Sequence, residues 1–100
     1  MKQDIFNQYV TQVATLYRIS EADMFTRSRV QDIVDARQML FYLCIKRPIP
    51  IYSIKTYLAE RGLPLQQTAI MNGYEKMEKH IKNDPDYSYA ISKIEKAIKF

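Results

Sequence analysis

Three polar side chains in succession, Gln66, Gln67 and Thr68, stand just ahead of an apolar series at helical spacing, Ile70, Gly73, Met77 and Ile81. Side chains at the entrance of a helix can reach base edges. A glutamine amide bridges N6 and N7 of adenine, and a threonine methyl touches the methyl of thymine. The plainer use of such residues is to cap the helix and meet solvent. Upstream, Thr26-Arg27-Ser28-Arg29 is a polar connector with two guanidinium groups to present. Lys46, Lys55 and the Ser53 hydroxyl could add contacts to phosphate oxygens.

Catalysis is hard to build from this chain. His80 is its one histidine, and no second acid, base or thiol stands at a recognisable spacing from it. An imidazole partly packed near a helix C-terminus is the reading its position suggests. Cys44 is the one cysteine and sits in the apolar run from Met39 to Ile45, which points to a buried, inert thiol and leaves a metal site without thiolate partners. No glycine-rich phosphate cradle is present, so no nucleotide cofactor and no small-molecule substrate are expected.

These residues must be held by helices. One hundred residues, 47% of them hydrophobic, can bury one modest core, and two glycines and four prolines leave long stretches free of helix breakers. The expectation is an all-α fold, one domain with a small bundle of about five helices. Fifteen basic against eleven acidic residues give a net charge of +4, compatible with a polyanionic partner but too small to establish one. The opening Met1-Lys2-Gln3-Asp4-Ile5-Phe6 lacks an apolar signal core, and no run approaches a membrane span, so a cytoplasmic protein without a membrane partner is expected.

The periodicity predicts a first helix over about residues 4–17, with Phe6, Tyr9, Val13 and Leu16 on one stripe. Ser20 is placed to cap a short helical turn to about residue 25. A second helix, about 30–46, carries Val30, Ile33, Leu40, Phe41 and Cys44 on one arc and is apolar nearly all round from residue 39 onward, which makes it the central helix. Pro48 and Pro50 end it. A third helix over 52–61 stops at Gly62, and a fourth follows over 66–82 after roughly four connecting residues, the spacing of a helix-turn-helix. Asn83-Asp84-Pro85 opens a fifth helix, about 86–99, with Tyr89, Ile91, Ile94 and Ile98 facing inward and lysines at 93, 96 and 99.

Asp32-Ile33-Val34-Asp35-Ala36-Arg37-Gln38-Met39, with the Tyr42-Leu43 that closes the same helix, resembles the C-terminal duplex-binding domain of the bacterial replication initiator family DnaA. The resemblance spans roughly residues 5–80 and leaves the fifth helix, 84–99, as an extension. It implies a helix-turn-helix fold of the Trp-repressor kind and a basic loop that sends an arginine into the minor groove. The matching position is Arg29, with Arg27 and Ser28 beside it. A second family arginine, which contacts the phosphate backbone, matches Arg37. Read without the resemblance, Arg37 is a core-edge arginine paired with Asp35 or Asp32. The family opens its recognition helix with Gly-Gly-Arg-Asp-His-Ser/Thr-Thr-Val. Thr68-Ala69-Ile70 occupies the end of that signature, Gly73, Lys76 and Met77 match an Ala, a Lys and an Ile further along, and Leu65-Gln66-Gln67 replaces Arg-Asp-His. The fold therefore transfers more readily than any target sequence.

Two functions follow as expectations. The first is a non-enzymatic protein binding double-stranded DNA in replication or transcription control, as a free-standing version of this domain of the sort bacteriophages carry. The second is a protein-interaction or structural module that kept the scaffold and lost DNA readout, with Tyr52, Met71 and Tyr74 forming an interface to a partner or to a second copy. The basic residues and the 66–68 turn lying on one continuous face would favour the first.

Overall fold

The computed structural model describes residues 2–99. It holds six helices, α1 (Lys2–Tyr17), α2 (Glu21–Met24), α3 (Gln31–Lys46), α4 (Ile51–Glu60), α5 (Gln67–Asn83) and α6 (Pro85–Ala97), and no strand among the described residues. The all-α expectation stands. The short turn after Ser20 is a helix in its own right, capped by the Ser20 hydroxyl accepting from the Asp23 amide at 3.0 Å.

Helix α3 is the axis of the bundle. Ala36, Met39, Leu40, Phe41, Leu43 and Cys44 are buried all round it, and it packs against α1, α2 and α5. A helix that is apolar on nearly every side must be covered on nearly every side, as its sequence requires. The α3–α5 approach is close because residue 73 is glycine: a Cβ there would lie 2.7 Å from Phe41 Cδ2. Helix α6 is no loose appendage, since Ile94 and Ile98 enter the same core.

Three residues assigned inward from the sequence point outward. Val30 is 60% exposed because it is the N-cap of α3, where helical periodicity has not begun. Leu16 is 44% exposed, at the edge of the buried arc that Phe6, Tyr9, Val10, Val13 and Ala14 form along α1. Tyr89 is 68% exposed; the α6 stripe runs through Tyr87, Ala90, Ile91, Ile94 and Ile98, and residues two apart, such as Tyr89 and Ile91, fall on opposite sides of a helix.

Two sets of polar contacts tie the helices to one another. The Tyr9 ring is fully buried, and its hydroxyl donates to Glu95 at 2.5 Å and accepts from Arg47 at 3.4 Å, joining α1, α6 and the end of α3. Arg61 donates to Asn7 Oδ1 at 2.7 Å, pairs with Glu21 at 3.4 Å and lies 5.0 Å from the centre of the Phe25 ring, tying the end of α4 to α1 and α2.

Candidate nucleic-acid interface

Helices α4 and α5 are joined by residues 61–66, two more than the sequence suggested. Gly62 takes φ +88°, its amide donates to Ala59 and the amide of Leu63 reaches back to Leu58 at 2.9 Å. This left-handed stop satisfies carbonyls at the end of α4 and turns the chain, and the burial of Leu58 and Leu63 anchors it. Pro64 then keeps the chain extended before Gln66, the N-cap of α5.

At the entrance of α5, Gln66, Gln67 and Thr68 are all exposed. No side chain caps this helix, so the first-turn amides and the positive end of the helix dipole remain open toward solvent. The capping use of these residues is thus not taken up.

The loop between α2 and α3 is fastened to that entrance from two directions. Arg27 Nη2 donates to the carbonyl oxygen of Pro64 at 3.0 Å, joining the loop to the α4–α5 turn. Arg37, on α3, donates through Nη1 to Thr26 O at 2.7 Å and through Nη2 to Ser28 O at 2.8 Å. The Ser28 hydroxyl accepts from the Val30 amide at 3.1 Å, closing the approach to α3. Arg29 is exposed and makes no hydrogen bond or ion pair among the described residues. The two loop arginines therefore differ: Arg27 is a strut, and Arg29 projects free.

Arg37 pairs with neither Asp32 nor Asp35. Residues two apart on a helix point to opposite sides, so Asp35 faces away while Arg37 turns to the loop. Burial of the guanidinium pulls its proton affinity below the usual arginine value. Arg37 also borders a groove of about 300 Å³ between α3 and α5, together with Gln38, Asn72 and Lys76. Gln38 is buried there with its Oε1 unmatched by any hydrogen bond. Lys76 is exposed on the same groove.

Farther along the α3–α5 pair, Tyr42 and Tyr74 stack with centroids 5.4 Å apart, and the exposed Lys46 ammonium lies 5.8 and 6.0 Å from the two rings. Its hydrogen bond to Tyr74 raises its proton affinity. Tyr74 and Met71 are half-buried, so of the three residues expected at a protein interface only Tyr52, 69% exposed, stands clear of the fold. Two phosphate candidates fare differently on α4. Ser53 is buried at 7% exposure in the first turn, at odds with a surface hydroxyl, because this turn packs inward between Ile54 and the core. Lys55 is half-buried and makes no contact that ties it to the others. The fold thus brings together Arg27, Ser28, Arg37, Lys76 and the 66–68 turn, places Lys46 farther along the same helix pair, and leaves Ser53 and Lys55 apart.

The sequence reading did not foresee a polar cluster on the other side of α3. Asp35, 7% exposed, accepts from the hydroxyls of Tyr17 and Tyr87 on one oxygen, both at 2.8 Å, and lies 3.7 Å from His80 Nε2 on the other. His80 stacks on Tyr87 at 5.2 Å. The one available signal was Asp35 itself, an acidic residue one turn before Met39 on a helix that must be covered on nearly every side. Among the described residues no group of three or more His, Cys, Asp or Glu side chains could hold a metal ion, and no helix is long and apolar enough to cross a membrane.

Comparison with known proteins gives one relevant likeness. Over 89 residues, 86% of this chain, the sequence is 29% identical to the chromosomal replication initiator protein DnaA of Spiroplasma citri. The chain spans 18% of that relative's length. No family model and no solved structure matches the chain. The likeness bears out the resemblance to the DnaA initiators read from the sequence and lends none to a bacteriophage source.

Proposed function

We propose that this protein binds double-stranded DNA without catalysing a reaction, with α4 and α5 acting as a helix-turn-helix. Helix α5 enters the major groove with Gln66, Gln67 and Thr68 at the base edges, and Arg29 reaches the adjacent minor groove. Arg37, Lys46 and Lys76 supply phosphate contacts along the α3–α5 side, and Lys55 adds one from α4. The observation that carries this reading is the fastening of the arginine loop to the α4–α5 turn through Arg27 and Pro64, backed by Arg37. The two reading elements then present a fixed spacing to the duplex, and preorganised contacts lose less entropy on binding. Likeness to a replication initiator supports a role in the cytoplasm, in replication initiation; regulation of transcription is a second use of the same duplex binding.

A salt series of duplex binding tests the proposal. Affinity should fall steeply as salt rises, because each lysine or arginine contact releases condensed counterions. Arg29→Ala should weaken binding and erase preference for the narrow minor groove of A·T-rich duplexes. Equal binding of every duplex by parent and variant at all salt concentrations would remove the minor-groove arm.

A further inference from the structure

The face formed by α1, the first half of α3 and α6 carries a trough. Its first hollow, about 380 Å³, is edged by Asp32, Asp35, Asp84 and Asp86, with no lysine or arginine in its lining. A second, about 290 Å³, runs on toward Lys93, and the two share Leu16 and Ala90. Leu16 is 44% exposed where they meet, a large apolar side chain left in water in the middle of a concave surface. Single exposed apolar residues are common; one at the junction of two hollows beside four carboxylates is a more specific arrangement.

The carboxylates on this wall differ in how far they are engaged. Asp35 accepts from Tyr17 and Tyr87 while its other oxygen, sealed from solvent, faces His80 at 3.7 Å, and Asp84 caps α6 by accepting from the Asp86 amide. Asp32 and Asp86 are exposed, and their carboxylates make no hydrogen bond or ion pair among the described residues, so a cation can reach both. Four carboxylates repel phosphate, so this surface rejects nucleic acid and anionic lipid alike.

We propose that the α1–α6 trough docks a basic, amphipathic segment of a partner protein, its lysine or arginine side chains set against Asp32, Asp84 and Asp86 and an apolar side chain set on Leu16 and Ala90. Charge complementarity selects the segment and the Leu16 junction holds it, as in other helix-in-groove recognition.

The test is a titration of the isotope-labelled protein, followed by amide chemical shifts, with a synthetic peptide of leucine and lysine at helical spacing. A lysine-glycine peptide of equal charge is the comparison. Shifts should cluster at the end of α1, the start of α3 and α6, with the leucine-containing peptide bound about tenfold tighter. Leu16→Ser, and separately Asp32→Asn with Asp86→Asn, should each weaken peptide binding about tenfold while the unfolding midpoint stays that of the parent. Shifts spread over the surface, equal affinity for the two peptides, or unchanged binding by the variants would overturn the proposal. Concentration-dependent shifts of the same residues without peptide would assign the trough to a second copy of this chain and overturn it as well.

Discussion

The guanidinium of Arg37 holds the carbonyl oxygen of Ser28 at 2.8 Å while its other nitrogen holds Thr26 at 2.7 Å, so a residue of α3 sets the path of the loop that presents Arg29. A planar fork suits two carbonyls that a single ammonium cannot satisfy together. Arg37→Ala should therefore lower duplex affinity by about tenfold or more, roughly 1.4 kcal/mol, with faster hydrogen exchange at the Ser28 and Val30 amides. Arg37→Lys should keep the charge, leave the exchange fast and recover only part of the affinity. Recovery of full affinity by lysine would show that charge alone matters at this position.

Gly73 and Phe41 make the second close relationship. Alanine at 73 would gain up to about 1 kcal/mol in helix propensity. Its Cβ would however stand 2.7 Å from a ring carbon of Phe41, whose side chain is buried. Overpacking costs about 1–3 kcal/mol, so the steric effect wins and Gly73→Ala should lower the unfolding midpoint. Adding Phe41→Leu should restore part of the loss, and a double-mutant cycle would measure that coupling.

Much of this architecture is legible in the chain. The central place of α3 follows from its apolar circumference, and the stops at Pro48 and Gly62 follow from backbone chemistry that any sequence obeys. The failures share a cause. Val30 and Leu16 sit at helix ends and Tyr89 beside the true stripe, where periodicity is a poor guide to what tertiary packing covers. The bracing role of Arg37 was hidden because its partners are backbone carbonyls, which no side-chain pattern announces. The joining of Tyr17, Asp35, His80 and Tyr87 was hidden for a different reason: they come from four helices whose mutual placement no local signal encodes.

Arg18 ends α1 at φ +56°, and the Ile19 amide returns to Ala14 at 3.1 Å in the manner of a glycine-terminated helix. A non-glycine residue in the left-handed region costs about 1–2 kcal/mol. Glycine avoids that cost and gives back part of the gain through a freer unfolded chain. Arg18 is exposed, with no hydrogen bond or ion pair from its side chain among the described residues. Arg18→Gly should stabilise the fold by about 0.5–1 kcal/mol, read as a higher denaturation midpoint with unchanged slope.

Alkaline solution should unfold the protein through its tyrosines. Burial first, then the hydrogen bond to Asp35 and its negative charge, pushes the Tyr87 hydroxyl up to about 12, and the same causes push Tyr17 higher. Each phenol is an acid whose folded value lies above its ordinary value near 10, so the stability it contributes is fully present below pH ~10 and is lost as pH rises through the folded value. Tyr17→Phe with Tyr87→Phe should flatten that alkaline loss and lower stability at neutral pH, since Asp35 loses two donors. A denaturant midpoint series from pH 7 to ~11.5 measures both effects. An unchanged alkaline slope would assign the loss to other groups.

In the proposed complex, base readout would rest on the uncapped entrance of α5. Gln66 and Gln67 are exposed, and the helix has no side-chain cap that would occupy them. Each can make a bidentate contact to an adenine, worth about 1–3 kcal/mol of discrimination. Lys76 and Arg37 border the α3–α5 groove; in the proposed complex they meet phosphates and carry the salt dependence. Replacing both glutamines with alanine should therefore flatten discrimination between selected and random duplexes while the slope of affinity against salt stays that of the parent. Lys76→Ala should do the reverse, weakening all duplexes about equally and reducing the slope by about one counterion. The measurement is selection of bound sequences from a random duplex pool, followed by salt titrations of each variant. A pool that shows no enriched motif for the parent would leave phosphate and shape contacts as the whole of the binding, with the glutamines serving only as solvent-facing helix residues.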